Sequence, residues 1–161
     1  MKIYTCTVPT PIGAVTLTAD DDTLVGLDLD TKKPYAEPQT LLLYEARRQL
    51  DEYFAGVRLD FDIPISVSGT DFQRRVWTAL RSIPYGATAS YSDVAAMINN
   101  PLAARAVGNA NNKNPIALII PCHRVINADG SLGGYGGGEH IKQFLLDFEA
   151  ATLSRHREKQ R

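Results

Sequence analysis

The stretch IALIIPCHRVI, residues 116–126, joins an apolar run to a segment with reactive side chains. We expect residues 116–120 to form a buried strand that ends at the Pro-Cys-His-Arg segment, residues 121–124. A structural cysteine is normally inert and lies within an apolar run. Cys122 instead has an imidazole and a guanidinium as sequence neighbours, and either group can lower the thiol pKa and favour the nucleophilic thiolate. The stretch therefore predicts a reactive cysteine at the end of a strand.

His123 is the first candidate for the base that removes the thiol proton. Adjacent residues of a strand point to opposite faces, so His123 would need a water bridge or a local turn to serve Cys122. Glu149 falls at the end of the last predicted helix, residues 139–149, where its charge opposes the helix dipole. We therefore expect Glu149 to have a cationic partner such as His123. A hydrolase with a Cys-His pair is an alternative, and it would also need a residue that orients His123 and donors for an oxyanion.

The composition limits the class of protein. The chain has 161 residues, 44% hydrophobic and 22% charged, which is typical of a soluble globular protein with one domain or two small ones. These values exclude a disordered tail, a collagen-like repeat and a disulfide-dense mini-protein. No apolar run approaches the roughly 20 residues of a membrane helix, and the N-terminal residues lack the apolar block of a signal peptide. Cys6 and Cys122 lie far apart, which favours free thiols and a cytoplasmic location over a disulfide.

The net charge of −1 conceals an uneven distribution. Residues 1–68 carry six Lys or Arg against eleven Asp or Glu, whereas residues 150–161 carry four against one. An anionic partner is therefore permitted on the C-terminal part only, although such offsets also arise by chance. A zinc site is not predicted, because the possible ligands lack the paired spacings of structural zinc. Those possible ligands are Cys6, Cys122, His123, His140 and His156.

The first part of the chain is predicted to be a small sheet with a helix. Three segments have the β-branched or alternating pattern of strands, namely residues 3–8, 14–18 and 24–29. Residues 40–54 have helical periodicity and are followed by Gly56 as a C-terminal cap. Residues 59–63 are predicted to be a fourth extended piece. A boundary at residues 66–69 then gives domains of residues 1–68 and 69–150, with a basic tail of residues 151–161.

The second part is predicted to be helical and to contain a helix-turn-helix. Thr70 and Ser90 each precede Gln or Asp by three positions, which is the spacing of a capping box. Asn100-Pro101 predicts another helix start, because Asn caps helices and Pro suits the first helical position. Two short helices joined by three or four residues outline a helix-turn-helix, although such hairpins also occur in proteins that never bind DNA. The second helix carries side chains that can bond phosphates or base edges, namely Arg105, Asn109, Asn111, Asn112 and Lys113.

A glycine-rich loop, residues 133–138, contains Tyr135. It is not a phosphate-binding loop, because no Lys-Ser or Lys-Thr follows. Its bare backbone can approach a flat ligand with Tyr135 as wall or donor, or it is a plain linker into the last helix. In that helix the predicted packing stripe consists of Ile141, Phe144, Leu145 and Phe148.

These motifs together resemble those of the O6-alkylguanine-DNA alkyltransferase family, whose members take an alkyl group from guanine onto their own cysteine. The motifs are Ser90-Tyr91, Ala-Arg-Ala-Val-Gly at 104–108, Asn114-Pro115, Pro-Cys-His-Arg-Val-Ile at 121–126 and Gly-Tyr-Gly-Gly-Gly at 134–138. The resemblance is strong over residues 70–149 and rests on layout alone over residues 1–68. It implies an α/β (α+β) fold with a ribonuclease-H-like N-terminal domain and a helical C-terminal domain that contains the helix-turn-helix.

The resemblance also implies a reaction. A methyl or larger alkyl group passes in a single turnover from guanine O6, or from thymine O4, to Cys122 after the base flips out of the duplex. His123 is implied as a water-linked base, Glu149 as the carboxylate that orients it, and Asn114 as the residue that holds the cysteine segment. Tyr135 is implied as the donor to the guanine while its oxygen gains charge.

The implied partner is double-stranded DNA that contains alkylated guanine. Tyr91 is expected to press on the 3′ phosphate and Arg105 to fill the gap that the flipped base leaves, with further DNA contacts at Ala104, Asn109 and Arg124. We expect a monomer with no membrane contact and no obligate protein partner. No cofactor is expected.

Some relatives hold zinc in the N-terminal part through Cys and His, but here that part has Cys6 alone and no His, so no metal is predicted. Two other functions remain open. The first is a non-catalytic alkyltransferase-like damage sensor, a group that carries another residue, often Trp, at the cysteine position. The second is a helix-turn-helix regulator, which would bind particular DNA sequences and keep its thiol on meeting alkylated DNA.

Overall fold

A computed structural model describes residues 2–29, 31–135 and 138–160 of the chain. The chain divides into two compact units. The first ends at Ser68 and also contains Pro115–Ile119, whereas the second contains Gly69–Asn114 and the chain from Ile120 onward. Both helices and small sheets are present, in agreement with the predicted α/β class. The membership of Pro115–Ile119 in the first unit was not predicted from the sequence.

The first unit is an antiparallel sheet with one helix. Strands β1 (Tyr4–Val8), β2 (Val15–Ala19) and β3 (Leu24–Asp28) pair in chain order, which confirms the three predicted strands. Helix α1 (Leu41–Phe54) begins after Thr40, whose hydroxyl oxygen accepts a hydrogen bond from the Leu43 amide. The sheet and the helix bury an apolar core that includes Leu17, Leu27, Leu43, Leu50 and Tyr53.

Two segments, one predicted to be extended and one predicted to be a strand, do not form strands. Residues 59–63 have no regular structure, and the chain bridges to β3 only afterwards, at Ile65. The backbone of residues 116–120 does not continue as a strand. Leu118 has a φ of 71°, and the Ile119 amide donates to the Ala117 carbonyl. This is a γ-turn with positive φ, which costs a non-glycine residue about 1–3 kcal/mol. The apolar run therefore indicated burial and not an extended backbone.

The second unit is mainly helical. Its helices are α2 (Asp71–Leu80), α3 (Tyr91–Met97), α4 (Ala104–Asn112) and α5 (Glu139–Lys159), and the short strands β4 (Ala89–Ser90) and β5 (Val125–Ile126) pair in parallel. Capping boxes are present at Thr70 and Ser90, so the helix starts predicted there are confirmed. Trp77 is a core residue, and its indole N–H donates to the Ala110 carbonyl at 2.9 Å.

Two helix boundaries differ from the prediction. Helix α4 begins at Ala104 and not at Asn100-Pro101, because the Ala103 amide bonds to the Asn100 carbonyl and closes a separate turn first. The link between α3 and α4 is therefore longer than the three or four residues predicted. Helix α5 runs to Lys159, so most of the predicted basic tail is helical. Within the described part of the chain, no helix combines the length and the apolar character needed to span a membrane.

Candidate active site

The backbone around the cysteine folds into two consecutive tight turns. Pro121 has φ −81° and ψ 65°, and the Cys122 amide bonds to the Ile120 carbonyl at 2.8 Å, which is an inverse γ-turn. A single 3₁₀ turn, Cys122–Arg124, follows. Pro121 favours this path, because its ring restricts φ and it has no amide hydrogen for a sheet. The prediction that a strand leads directly into the cysteine is therefore wrong.

Two asparagine side chains hold this turn. Asn114 Nδ2 donates to the Ile120 carbonyl at 2.7 Å, and Asn111 Nδ2 donates to the Cys122 carbonyl at 3.4 Å. Asn111 belongs to the last turn of α4 and Asn114 follows that helix closely, so the end of α4 fixes the backbone on both sides of Pro121. This contact gives a structural basis for the expected role of Asn114, whereas Asn111 was expected only as a DNA-binding amide.

The Cys122 thiol is buried, with 6% of the residue exposed. Burial raises the pKa of the Cys122 thiol, against a hydrogen bond from Asn114 and the charge of Lys142. Desolvation has this effect because it penalises the thiolate more than the thiol. The resting cysteine therefore keeps its proton, and a nucleophilic attack by its sulfur requires a base.

His123, Glu149 and Arg124 form a buried polar cluster. His123 Nε2 lies 2.8 Å from Glu149 Oε2, Arg124 Nε donates to Oε1 at 2.8 Å, and Arg124 Nη2 donates to Oε2 at 3.0 Å. Burial opposes ionisation of Glu149, but the hydrogen bonds from His123 and Arg124 outweigh it and hold the pKa of the carboxyl below its usual range. Burial lowers the pKa of His123 despite the opposing effect of Glu149. The cluster thus contains a carboxylate, a guanidinium and a neutral imidazole.

The Nδ1 atom of His123 is the one available for base chemistry. Because an ionised carboxylate only accepts hydrogen bonds, Nε2 carries the proton towards Glu149 and Nδ1 keeps a lone pair. Nδ1 is buried and has no hydrogen-bond partner among the residues that the structure describes. The 3₁₀ turn also supplies the local turn that a proton transfer from Cys122 requires.

Lys142 is a buried cation that was not among the site residues predicted from the sequence. Its ammonium donates to the carbonyls of Leu132 and Gly134 at 2.5 and 3.4 Å, and it lies 5.9 and 6.0 Å from the ring centroids of Tyr91 and Tyr135. Burial lowers the pKa of Lys142, while the nearby cysteine opposes this change. The lysine therefore ties the glycine-rich loop to α5 beside the thiol.

The Tyr135 hydroxyl is buried and interacts with the Cys122 thiol. Burial raises the pKa of Tyr135 well above its ordinary value, and the charge of Cys122 adds to the effect. Tyr135 thus keeps its proton and is a hydrogen-bond donor close to the thiol. A donor at this position can stabilise negative charge that develops during a reaction. Gly136 and Gly137 of the predicted loop lie outside the described residues.

The buried face of α5 differs from the predicted packing stripe. Ile141 and Leu145 are buried, but Phe144 is 39% exposed. Lys142 and Glu149 share the face of Leu145, because separations of three and four residues return to one side of a helix. Glu149 lies in the middle of α5, so its pairing with His123 reflects burial and not the end of a helix dipole. Charged residues on this face are the sequence signal that identifies both side chains.

An open groove of about 410 Å³ lies between α3, α4 and the glycine-rich loop. Tyr91, Ala104 and Arg105 line it, as does Gly133, where a Cβ would come within 2.8 Å of the Tyr91 hydroxyl. Asn109 is exposed on α4 outside this lining. The structure thus brings together three of the expected DNA-binding residues at one surface.

Arg124 is not at that surface, and its expected DNA contact disagrees with the structure. The residue is 7% exposed, and its guanidinium is bonded to Glu149 and to the Ile83 carbonyl. Within the described residues, no group of three or more His, Cys, Asp or Glu side chains is arranged to hold a metal ion.

Comparison with known proteins gives consistent matches over nearly the whole chain. Residues 3–67 match the 6-O-methylguanine DNA methyltransferase, ribonuclease-like domain, and residues 71–151 match the DNA binding domain of the same family. A methylated-DNA--protein-cysteine methyltransferase from Methanosarcina acetivorans is 45% identical over 155 residues, which cover 92% of this chain and 99% of that protein.

Two crystal structures from Mycobacterium tuberculosis are also similar. The O6-methylguanine methyltransferase has a TM-score of 0.85 at 44% identity, with 94% of each chain covered. The structure of that organism's OGT in complex with DNA has a TM-score of 0.85 at 46% identity, covering 91% of this chain and 92% of that one.

Proposed function

Since this chain belongs to the 6-O-methylguanine DNA methyltransferase family, we propose that it repairs DNA directly by taking an alkyl group from guanine O6 onto Cys122. One observation carries this proposal. A protonated, buried thiol is followed in the chain by a neutral imidazole whose Nδ1 is unbonded within the described residues and whose Nε2 is fixed by Glu149.

The chemistry follows from these groups. His123 Nδ1 takes the Cys122 proton, directly or through a water, and the thiolate attacks the alkyl carbon in line with the bond to O6. A sulfur–carbon bond forms, the carbon–oxygen bond breaks, and its electron pair goes to guanine O6. Tyr135 donates a hydrogen bond to that oxygen as its charge grows, and the proton released by the thiol ends on the guanine ring. The same displacement applies to O4-alkylthymine.

The product explains why each chain acts once. The thioether on Cys122 has no leaving group that water can displace under mild conditions, so the cysteine is consumed and no cofactor enters the balance. The reaction and the DNA contacts both belong to the predicted domain of residues 69–150. Two free cysteines, Cys6 and Cys122, support the expected cytoplasmic setting, and we propose that the protein acts as a monomer.

DNA binding is proposed at the groove between α3 and α4. Tyr91 and Ala104 would contact the backbone of the duplex, Asn109 would contact it from the exposed face of α4, and Arg105 would replace the flipped base in the stack. The exposure of Arg105 and its place beside Tyr91 in one open groove support this assignment. The DNA complex of the Mycobacterium tuberculosis relative supports DNA as the partner. Arg124 is left out of this surface because it is buried.

Intact-mass measurement tests the proposal. The protein is mixed with a duplex that contains one O6-methylguanine, and a duplex with guanine at that position is the control. We expect the chain to gain the mass of one CH₂ unit with the first duplex and to stay unchanged with the second. A damage sensor or a helix-turn-helix regulator would bind DNA and keep its mass, so an unchanged mass with both duplexes contradicts the proposal.

A further inference from the structure

Arg124 has all three of its guanidinium nitrogens bonded inside the protein. Nε and Nη2 donate to the two oxygens of Glu149 at 2.8 and 3.0 Å, and Nη1 donates to the Ile83 carbonyl at 2.8 Å. The guanidinium carbon also lies 5.5 Å from the ring centroid of Tyr85. Such a two-pronged contact with one carboxylate fixes the orientation of both groups. Each guanidinium nitrogen thus donates to a group inside the protein, and the residue is only 7% exposed.

The Glu149 carboxylate serves two potential cations. Its Oε2 atom is 2.8 Å from His123 Nε2 and 3.0 Å from Arg124 Nη2. The guanidinium stays charged under all ordinary conditions, so it already balances the single negative charge. A protonated His123 would leave a net positive charge in a site where His123 is fully buried, and burial of an unbalanced charge is costly.

We propose that Arg124 is a positioning residue for the Cys122 reaction: by neutralising and orienting Glu149, it keeps His123 in the neutral form that can accept the thiol proton. This inference rests on the proposed function and extends it. Without Arg124, the charge of Glu149 would act on His123 alone and would favour the imidazolium, which cannot serve as a base.

The charged neighbours of His123 agree with this assignment. Helix α5 presents Glu149 and Lys142, and the 3₁₀ turn itself presents Cys122 and Arg124. The buried residues of α2, which also packs on this turn, are uncharged; they are Val76, Trp77 and Leu80. Among these groups Glu149 alone favours the imidazolium form of His123. Arg124 is the cation in direct contact with Glu149. Tyr85, beside Arg124, stays neutral because burial raises its pKa.

Two substitutions separate the charge of Arg124 from its shape. Arg124→Met removes the charge and keeps much of the apolar stem. Arg124→Lys keeps a cation but cannot make the bidentate contact with Glu149. The rate of a single alkyl transfer from O6-methylguanine DNA is measured from about pH 5 to 9 for each variant and for wild type. Arg74→Met is the matched control, because Arg74 forms an exposed pair with Asp71 on the surface of α2.

We expect Arg124→Met to move the acid limb of the rate profile up by about one to two pH units, which is the usual effect of an uncompensated neighbouring charge. Arg124→Lys should be slower than wild type but keep its acid limb near the wild-type position. Arg74→Met should match wild type in rate and profile. If Arg124→Met lowers the rate equally at every pH, Arg124 is only a structural residue and the inference is wrong.

A measurement on the unmodified protein keeps the inference testable if Arg124→Met does not fold. Nitrogen-15 NMR of the histidine rings distinguishes imidazolium from neutral imidazole and reports which nitrogen carries the proton. We expect His123 in the free wild-type protein to be neutral, with the proton on Nε2, at about pH 6, below the ordinary histidine pKa of about 6.5. An imidazolium at that pH would overturn the inference even if alkyl transfer occurs. Failure of transfer by wild type would instead contradict the proposed function.

Discussion

Replacing Glu149 with Gln removes a charge without changing the size of the side chain. Glu149 is 1% exposed, and its two oxygens accept hydrogen bonds from His123 and twice from Arg124. Gln keeps one acceptor oxygen, but its amide nitrogen is a donor and would face another donor. Arg124, whose side chain is 8% exposed, would then hold a buried charge with no counter-ion.

The size of the effect follows from this geometry. Removing one partner of a buried ion pair costs about 3–5 kcal/mol. Arg124 keeps its bond to the Ile83 carbonyl and can still donate to the Gln oxygen, so we expect a loss of about 3–4 kcal/mol. For a chain of this length that corresponds to a Tm lower by about 6–16 °C. Asp147→Asn, on the exposed side of α5, should change the stability by about 0.5 kcal/mol or less.

Urea unfolding at a series of pH values is the assay. Because the pKa of Glu149 is lower in the folded protein than in the unfolded chain, its stabilising effect is complete above the unfolded value of 4.5 and is lost as the pH falls through the folded value. The difference between wild type and Glu149→Gln should therefore be constant near neutral pH and shrink in acid. A difference under about 1 kcal/mol at pH 7, or one that is as large in strong acid, would refute the reasoning.

Three further substitutions test the remaining parts of the site. Cys122→Ser should abolish alkyl transfer and leave duplex binding nearly intact, because a hydroxyl is a far weaker nucleophile near neutral pH. Cys6→Ser should transfer at the wild-type rate, and an equal loss of transfer in both variants contradicts the assignment of Cys122 as the acceptor. Arg105→Ala should slow transfer from duplex DNA about tenfold or more and spare free O6-methylguanine, which needs no flipping, as single-turnover rates on the two substrates will reveal. Lys142→Met should slow transfer about tenfold, because two loop carbonyls lose their donor. It should lower the free energy of unfolding by only about 1–2 kcal/mol, since a buried charge is also removed. Lys33→Met, on the surface of the first unit, is its control, and equal rates for the two lysine variants would contradict the role of Lys142.

Local rules predicted much of the fold. The alternation of the first three strands and the capping boxes at Thr70 and Ser90 depend on neighbouring residues, and the structure contains all of them. The same rules failed at residues 116–120, where a γ-turn at Leu118 interrupts an apolar run, because hydrophobicity reports burial and not φ. They also failed at Asn100-Pro101, where a cap-like pair closes a turn ahead of α4.

Cys122, the proposed base His123 and its partner Glu149 could be named from the sequence, but the roles of Arg124 and Lys142 could not. Cys122 and His123 are adjacent, so one motif identifies both. Arg124 has the same sequence signal as a DNA-binding arginine, and only its long-range contact with Glu149 distinguishes the two roles. Lys142 lies on the buried side of α5 together with Glu149, which helical spacing would have revealed had the face been assigned by its charged residues.

Transfer of the alkyl group onto one particular sulfur is the central claim, and peptide mapping after the reaction tests it most directly. Wild-type protein reacts with an excess of duplex that carries one O6-methylguanine, is digested with a protease, and its peptides are sequenced by mass spectrometry. We expect one methyl group per chain, on Cys122, and one guanine restored for each chain methylated. A methyl group on Cys6, or restoration of many guanines per chain with Cys122 unmodified, would contradict the account.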